Sequence, residues 1–525
     1  MSSPTALSAL PVVTKEIGDT WIFGAQADPR KTKTLRIMMR RRTACLLAAA
    51  AVAGVPGAGG PLRCNVSDPA FANFTRFLLK PTEHTFGLHS LADKQHYSNA
   101  QLQQALVANT PTGVAFRQWE ASWDEQRLYT EYALEALQAS VQPANVKLAR
   151  DIVGEIAAAA PGPNPPDLAG FRKLSAAELG SRLQSEHFSF KVNLGTGGLG
   201  SLITKADGVE WAIPPAPTAP AQPGRAGARD ATARDAPAYD LFQYVYRTNN
   251  QVDDFTPFRN SFTGDWSGFP GSWFTKQPGG CYDKINLDNA TCGHPMGCAK
   301  SQDWPPASVG VYARFGGGGG GGSLSAGNDG GGSGTALIAP IAELVIALKP
   351  PAEAHALYGA PSDVWVRLSF SNGSDSSASI GADLQWASKT ATRLPEATLF
   401  ALPLAPCATS GTTGAGGERP EARGGEDVGS RSTAWAVDKL GSWVDTADIV
   451  PDGGAGHLHA VGDGGARRRC GNTVVTAVGL DNALWSVGRV RSKPDLSTPN
   501  SPLLPIGFVE VATRARLRPS AFSPP

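Results

Sequence analysis

The chain has little of what would make its function easy to name. Its 47 Lys and Arg balance 46 Asp and Glu, leaving a formal charge of +1. No global field therefore favours nucleic acid or an anionic membrane, and Arg40-Arg41-Arg42 and Arg467-Arg468-Arg469 are local clusters only. Seven Cys in 525 residues are too few for a disulfide scaffold, and the odd count leaves at least one unpaired within the chain. There is no GxSxG, no Walker loop and no HExxH, so three familiar chemistries lose their sequence support. The apolar run from Ala44 to Ala53 is too short to span a membrane. With Met38, Met39 and the three Arg before it, that run mimics a signal peptide away from the N-terminus. High helix propensity explains it as an Ala-rich helix ending near Gly54 to Pro56, the alternative being a start at Met38 or Met39.

What is abundant is glycine and proline, 60 and 41 residues, concentrated in low-complexity blocks. The blocks near 214–237, 316–334 and 410–432 carry too few apolar residues to offset ordering entropy and read as disordered insertions on loops. Between them the sequence is ordinary and globular.

The first half has helical periodicity. Helices are expected over 29–53, 69–80, 97–107, 113–140, 144–160 and 175–183, several of them bounded by proline. In the longest, Phe116, Trp119, Trp123, Leu128, Tyr132 and Leu137 form a broad apolar stripe that reads as core. After Glu186 the period becomes two. Phe188 and Phe190 alternate with polar residues, as do Val364, Val366, Leu368 and Phe370, and further strands are expected over 239–247, 341–348, 399–404, 458–461 and 474–480. Successive strands without crossover helices imply antiparallel sheets. The fold class is therefore α+β and multidomain: residues 1–40 a site loop and helix, 41–185 a helical bundle, 186–510 a large antiparallel β-sandwich region. Ala512 to Pro525 is Arg/Pro-rich and unlike a closing strand.

The candidate site lies near the start. Glu16, Asp19 and Trp21 crowd together with Gly18 and Gly24, ahead of Asp28-Pro29. Carboxylates accept several hydrogen bonds and an indole covers the apolar face of a pyranose, a combination suited to sugars. The plainer reading, a turn with Asp28 as N-cap and Pro29 at the first helical position, accounts for those two residues alone. His84, in a short turn between helices, is on pattern a capping or core histidine. Gly195 to Gly200 matches GxGxxG, but Asp207-Gly208 follows in a hairpin pattern, which argues against a nucleotide site. Cys281, Cys292, His294 and Cys298 are irregularly spaced for zinc, and His457-Leu458-His459 reads as exposed strand polarity. Asn65, Asn73, Asn289 and Asn372 each open a glycosylation acceptor triplet and lean towards a secretory route.

The runs Lys15 to Gly24 with Asp28-Pro29, Glu83 to Gly87, Ser122 to Arg127, Arg393 to Ala397 and Asp438 to Gly441 resemble an uncharacterised domain family related to glycoside hydrolase family 38, the zinc-dependent α-mannosidases. The resemblance implies a site loop at the trailing edge of a (β/α) barrel, a helical bundle and β domains. It implies that Asp19 and Trp21 contact a glycan and that His84 matches a zinc ligand, although the mannosidase turn has His-His-Asp where this chain has Glu83-His84-Thr85. The family's His-x-Asp pair and nucleophilic Asp would fall before residue 1. Retaining hydrolysis needs two carboxylates about 5 Å apart, so the chain as written is expected to be inactive. The alternative expectation is a non-catalytic carbohydrate-binding or structural β-sandwich protein.

Overall fold

A computed structural model describes residues 28–48, 63–82, 99–107, 109–160, 162–212, 239–248, 300, 302–316, 339–371, 378–392, 396–405, 435–439, 441–446, 458–470, 473–481, 484–486 and 514–521. Glu16, Asp19, Trp21 and His84 lie outside these residues, as do residues 1–27 of the expected barrel edge at 1–40 and most of each low-complexity block.

The architecture is α+β, with a helical unit followed by antiparallel sheets. Helices α1 (Pro29–Leu47), α2 (Pro69–Phe77), α4 (Pro111–Gln138) and α5 (Pro143–Ala158) each begin on proline, where the missing N–H removes a donor with no intrahelical partner. Asp28, Asp68 and Thr110 precede three of them and accept backbone N–H groups of the first turn. Helix α3 (Asn99–Val107) packs on α4. The bundle core joins Met38, Phe71, Phe74, Leu137, Leu148 and Ile152. Helix α1 runs through residue 40, so the expected division there falls inside one helix whose Met38 sits in this core. A disulfide, Cys45–Cys64, ties the end of α1 to the approach to α2.

The β region is built on a ten-stranded antiparallel sheet. Its order is β1 (Arg172–Lys173), β7 (Ala307–Phe315), β8 (Ile341–Lys349), β9 (Asp363–Phe370), β10 (Ile380–Ala387), β18 (Arg514–Ala521), β16 (Thr473–Gly479), β15 (Ala466–Cys470), β12 (Trp435–Lys439) and β13 (Ser442–Asp445). The alternation along β9 is realised: Val364, Val366 and Leu368 are wholly buried while their neighbours are half-exposed. A smaller sheet, β2 (Leu183–Gln184), β3 (Phe188–Val192) and β4 (Leu199–Thr204), shares this core, where Phe190 stacks on Phe370 with ring centroids 4.9 Å apart. Two further sheets, β11 (Glu396–Ala401) with β5 (Gln243–Thr248) and β6 (Gln302–Trp304), and β14 (Leu458–Ala460) with β17 (Leu484–Ser486), complete a sandwich-like arrangement. Short helices α6 (Ala176–Gly180) and α7 (Ala352–Tyr358) sit between strands.

Three expectations are corrected or refined here. Arg514–Ala521, expected not to be a strand, lies inside the large sheet, paired with β10 and β16. Its backbone follows the two-fold register that composition alone hid. His459 is buried at 4 % exposure rather than displayed on a strand face, because β14 pairs with β17 opposite Trp485. The GxGxxG run is the turn between β3 and β4, as its context implied: Gly197 has φ +71°, and a Cβ there would stand 2.2 Å from Leu348 Cδ2.

Candidate functional site at the start of the first long helix

Asp28 stands where the stretch containing Glu16, Asp19 and Trp21 enters the described structure. It is 2 % exposed. One carboxylate oxygen accepts the N–H of Lys31 at 3.1 Å, which is the N-cap bond expected of it. The other accepts Arg127 Nε at 2.6 Å, and Arg127 Nη1 donates to Asp124 at 2.5 Å. Burial works against the Arg127 charge, but the bonds to Asp28 and Asp124 outweigh it and hold the guanidinium above its usual pKa. The Ser122 to Arg127 motif is thereby given a physical role: it fastens α4 to the N-terminus of α1.

The same face of α4 carries Phe116, Trp119 and Trp123, spaced at three, four and four residues up to Arg127. Trp119 and Trp123 stack with centroids 6.4 Å apart, and Phe116 meets Trp123 edge-on at 5.7 Å. All three are half-buried, and none belongs to a described core cluster. The expectation that the whole stripe is core therefore fails for this end of it. The two ends of the helix differ in burial: Ala133 and Leu137 are at 0 % exposure in the core, whereas Phe116, Trp119 and Trp123 are only half-buried. Trp119 Nε1 is shielded from solvent and donates to no described group. The stacked indole faces form a platform of the kind that covers the apolar side of a ring bearing hydroxyls.

A second charged assembly joins α1 to the β region. Arg36 donates through Nε to the carbonyl of Leu480 at 3.3 Å, through Nη1 to Val461 at 3.0 Å and through Nη2 to Gly479 at 2.8 Å, and lies 3.4 Å from Asp463. Burial pushes its pKa down and that of Asp463 up, while each charge resists the other's shift. Arg40, one turn on, also donates to Leu480 and pairs with Glu155 at 2.9 Å, which Arg41 contacts too. Asp438 shapes the loop that Arg36 meets, accepting Gly441 N at 2.8 Å and Gly464 N at 2.7 Å. A Cβ at Gly462 would stand 2.5 Å from that carboxylate, so the loop closes only on glycine.

Among the described residues, the motif carboxylates Asp28, Asp124, Glu396 and Asp438 are thus committed to the scaffold. Glu396, from the Arg393 to Ala397 run, receives the Tyr246 hydroxyl and Lys389 Nζ, and burial beside that carboxylate drives the Tyr246 pKa upward. Among the described residues no group of three or more His, Cys, Asp or Glu is arranged to hold a metal ion. They supply no ligand set for the zinc that the mannosidase resemblance implies. Sequence reasoning overlooked Arg36, Asp463 and the disulfide. The signal for the first was Arg36 and Arg40 one helical turn apart on α1, a charged face too narrow for simple solvation.

No helix among the described residues is long and apolar enough to cross a membrane. None of the curated proteins matches the chain. A family model described as a domain of unknown function (DUF5054) matches residues 25–226, less than half of the 525-residue chain. That match begins just before Asp28 and takes in the α4 aromatic face, the disulfide and the first β hairpin, so the region holding the candidate site is similar to an uncharacterised domain.

Proposed function

We propose that the chain is a glycoside-hydrolase-like protein that recognises α-mannoside-type glycans at the wall formed by α4 and the start of α1. The observation that carries this reading is the half-buried Phe116, Trp119 and Trp123 face, anchored by the Arg127–Asp28 pair next to the entry of the Glu16, Asp19 and Trp21 stretch. Aromatic faces cover the C–H side of a sugar ring. Arg127 and Asp28 act as positioning residues: each holds the other, and the carboxylate is too occupied to attack an anomeric carbon. Glu16, Asp19 and Trp21 would contact the sugar, and His84 would be the residue to test as a zinc ligand.

A non-catalytic glycan-binding role is the second reading. It is favoured by the engagement of Asp28, Glu396 and Asp438 in structural bonds. The two readings separate in one experiment. The 525-residue chain is assayed for aryl-α-mannoside hydrolysis and for α-mannoside oligosaccharide binding, with zinc and after chelation. Binding that survives chelation and His84→Ala, without turnover, supports the non-catalytic form. Zinc-dependent turnover supports an enzyme and contradicts the expectation of inactivity. Absence of both binding and turnover overturns the glycan reading.

A further inference from the structure

We propose that Asn65 is an N-glycan acceptor, modified in the oxidising lumen in which the neighbouring Cys45–Cys64 bond forms. Two independent chemistries meet at adjacent residues. Cys64 is buried and disulfide-bonded to Cys45, and such bonds form and persist where thiols are kept oxidised. Asn65 opens the triplet Asn65-Val66-Ser67, and all three residues are exposed.

The local geometry presents the side chain outward. The backbone of Asn65 is held on both sides by Asn145, itself 0 % exposed: Asn65 N donates to Asn145 Oδ1 at 3.1 Å, and Asn145 Nδ2 donates to Asn65 O at 3.2 Å. Asn65 Oδ1 accepts Ser67 N at 3.0 Å. Its Nδ2, the atom that would carry the sugar, donates to no described group. A bulky glycan on this turn displaces none of the described packing. Asn73 is a poorer acceptor site in the folded chain. It lies within α2, its triplet passes through the wholly buried Phe74, and the Thr75 hydroxyl accepts Arg42 Nε at 3.0 Å. Asn289 and Asn372 lie outside the described residues.

The reaction balances with a polyprenyl-pyrophosphate-linked oligosaccharide as donor and an oligosaccharyltransferase as catalyst. A bond forms between Nδ2 and the anomeric carbon, and the bond from that carbon to the pyrophosphate oxygen breaks. The lipid pyrophosphate leaves with the electron pair, and one amide proton passes to a base of the transferase. The proposal does not rest on the glycan-recognition reading, since a modified Asn65 and a mannoside-binding α4 are separate sites.

The test is peptide mapping of the full chain isolated from its source cells. Trypsin leaves Asn65 and Asn73 on one peptide, so a second cleavage before Asp68 is needed to separate them. Release of the glycan by peptide N-glycosidase in ¹⁸O water is expected to convert residue 65 to ¹⁸O-labelled Asp, in a chain whose Cys45 and Cys64 peptides are disulfide-linked. Unmodified Asn65, a glycan confined to Asn73, or free thiols at Cys45 and Cys64 overturns the proposal. In a secretory host, Ser67→Ala is expected to abolish the modification and Ser67→Thr to retain it. A Ser67→Ala chain that still carries sugar at residue 65 contradicts the assignment.

Discussion

The helical unit and the β region hold themselves together by different means. In the helices, polar chemistry does much of the positioning: side-chain caps at Asp28, Asp68 and Thr110, the Arg127–Asp28 pair, Glu155 between Arg40 and Arg41, and the Cys45–Cys64 bond. In the sheets, one continuous apolar core from Leu174 to Trp485 dominates, with charge paired between strands, as in Arg247–Asp303 and in Glu343 between Arg314 and Arg367. The contrast follows from geometry. Short helices bury one narrow stripe each and depend on their ends, whereas a ten-stranded sheet buries a whole face. It also separates the two ends of α4, whose last turns join the bundle core while Phe116, Trp119 and Trp123 stay half-buried.

The sharpest break in that contrast is Arg36, a helical residue that stabilises the β region's loops. Arg36→Ala leaves the carbonyls of Val461 and Gly479 and the charge of Asp463 without their partner, and is expected to cost about 3–5 kcal/mol. Chemical denaturation followed by both helical and tryptophan signals should show the two regions losing stability together. A loss under about 1 kcal/mol would mean the contact resembles an exposed ion pair.

Next in size is the disulfide. Closing a short loop is expected to contribute about 2–4 kcal/mol, confined to the helical unit. Reduction, or Cys45→Ser with Cys64→Ser, should lower the helical transition and leave the sheet transition in place. An equal shift in both would show that the regions unfold as one body.

These expectations also show how much could be read from sequence. Proline and capping residues marked the helix starts to within a few positions, because those signals are local and chemical. Strand existence was likewise legible at Val364, Val366 and Leu368. Sheet order was not. Arg514–Ala521 sits between β10 and β16, a pairing across long sequence separations that alternation cannot encode. Buried charge was hidden for the same reason: Arg36 looks like a surface residue until the loop at Gly462 to Gly465 closes over it. Of the site, the Asp28 cap was legible, but the half-buried state of the aromatic end of α4 was not, since periodicity reports a face and not what covers it.

The smallest expected effect concerns pH. The Glu155 carboxyl is buried, which raises its pKa, but hydrogen bonds and charge from Arg40 and Arg41 prevail and hold it below 4.5. Its stabilisation is complete above that value and is lost as pH falls through the lowered folded pKa. Asp463 has the opposite sign. Burial raises its pKa above 3.8, so the folded state gains stability as pH falls from the raised value towards 3.8. Acid titration should therefore weaken the helical signal in Glu155-dependent fashion. Glu155→Gln should flatten that loss, and Asp463→Asn should remove the compensating gain. No change in either profile would contradict the assigned signs.

The central proposal is that the half-buried aromatic end of α4 reads a glycan. Its most direct test is calorimetric titration of the full chain and of its Trp123→Ala variant with an α-mannoside oligosaccharide, folding being checked by denaturation. The account predicts saturable binding by the parent chain, weakened about tenfold or more in the variant with its stability preserved. Equal affinity in the two folded proteins, or no binding by either, would contradict it.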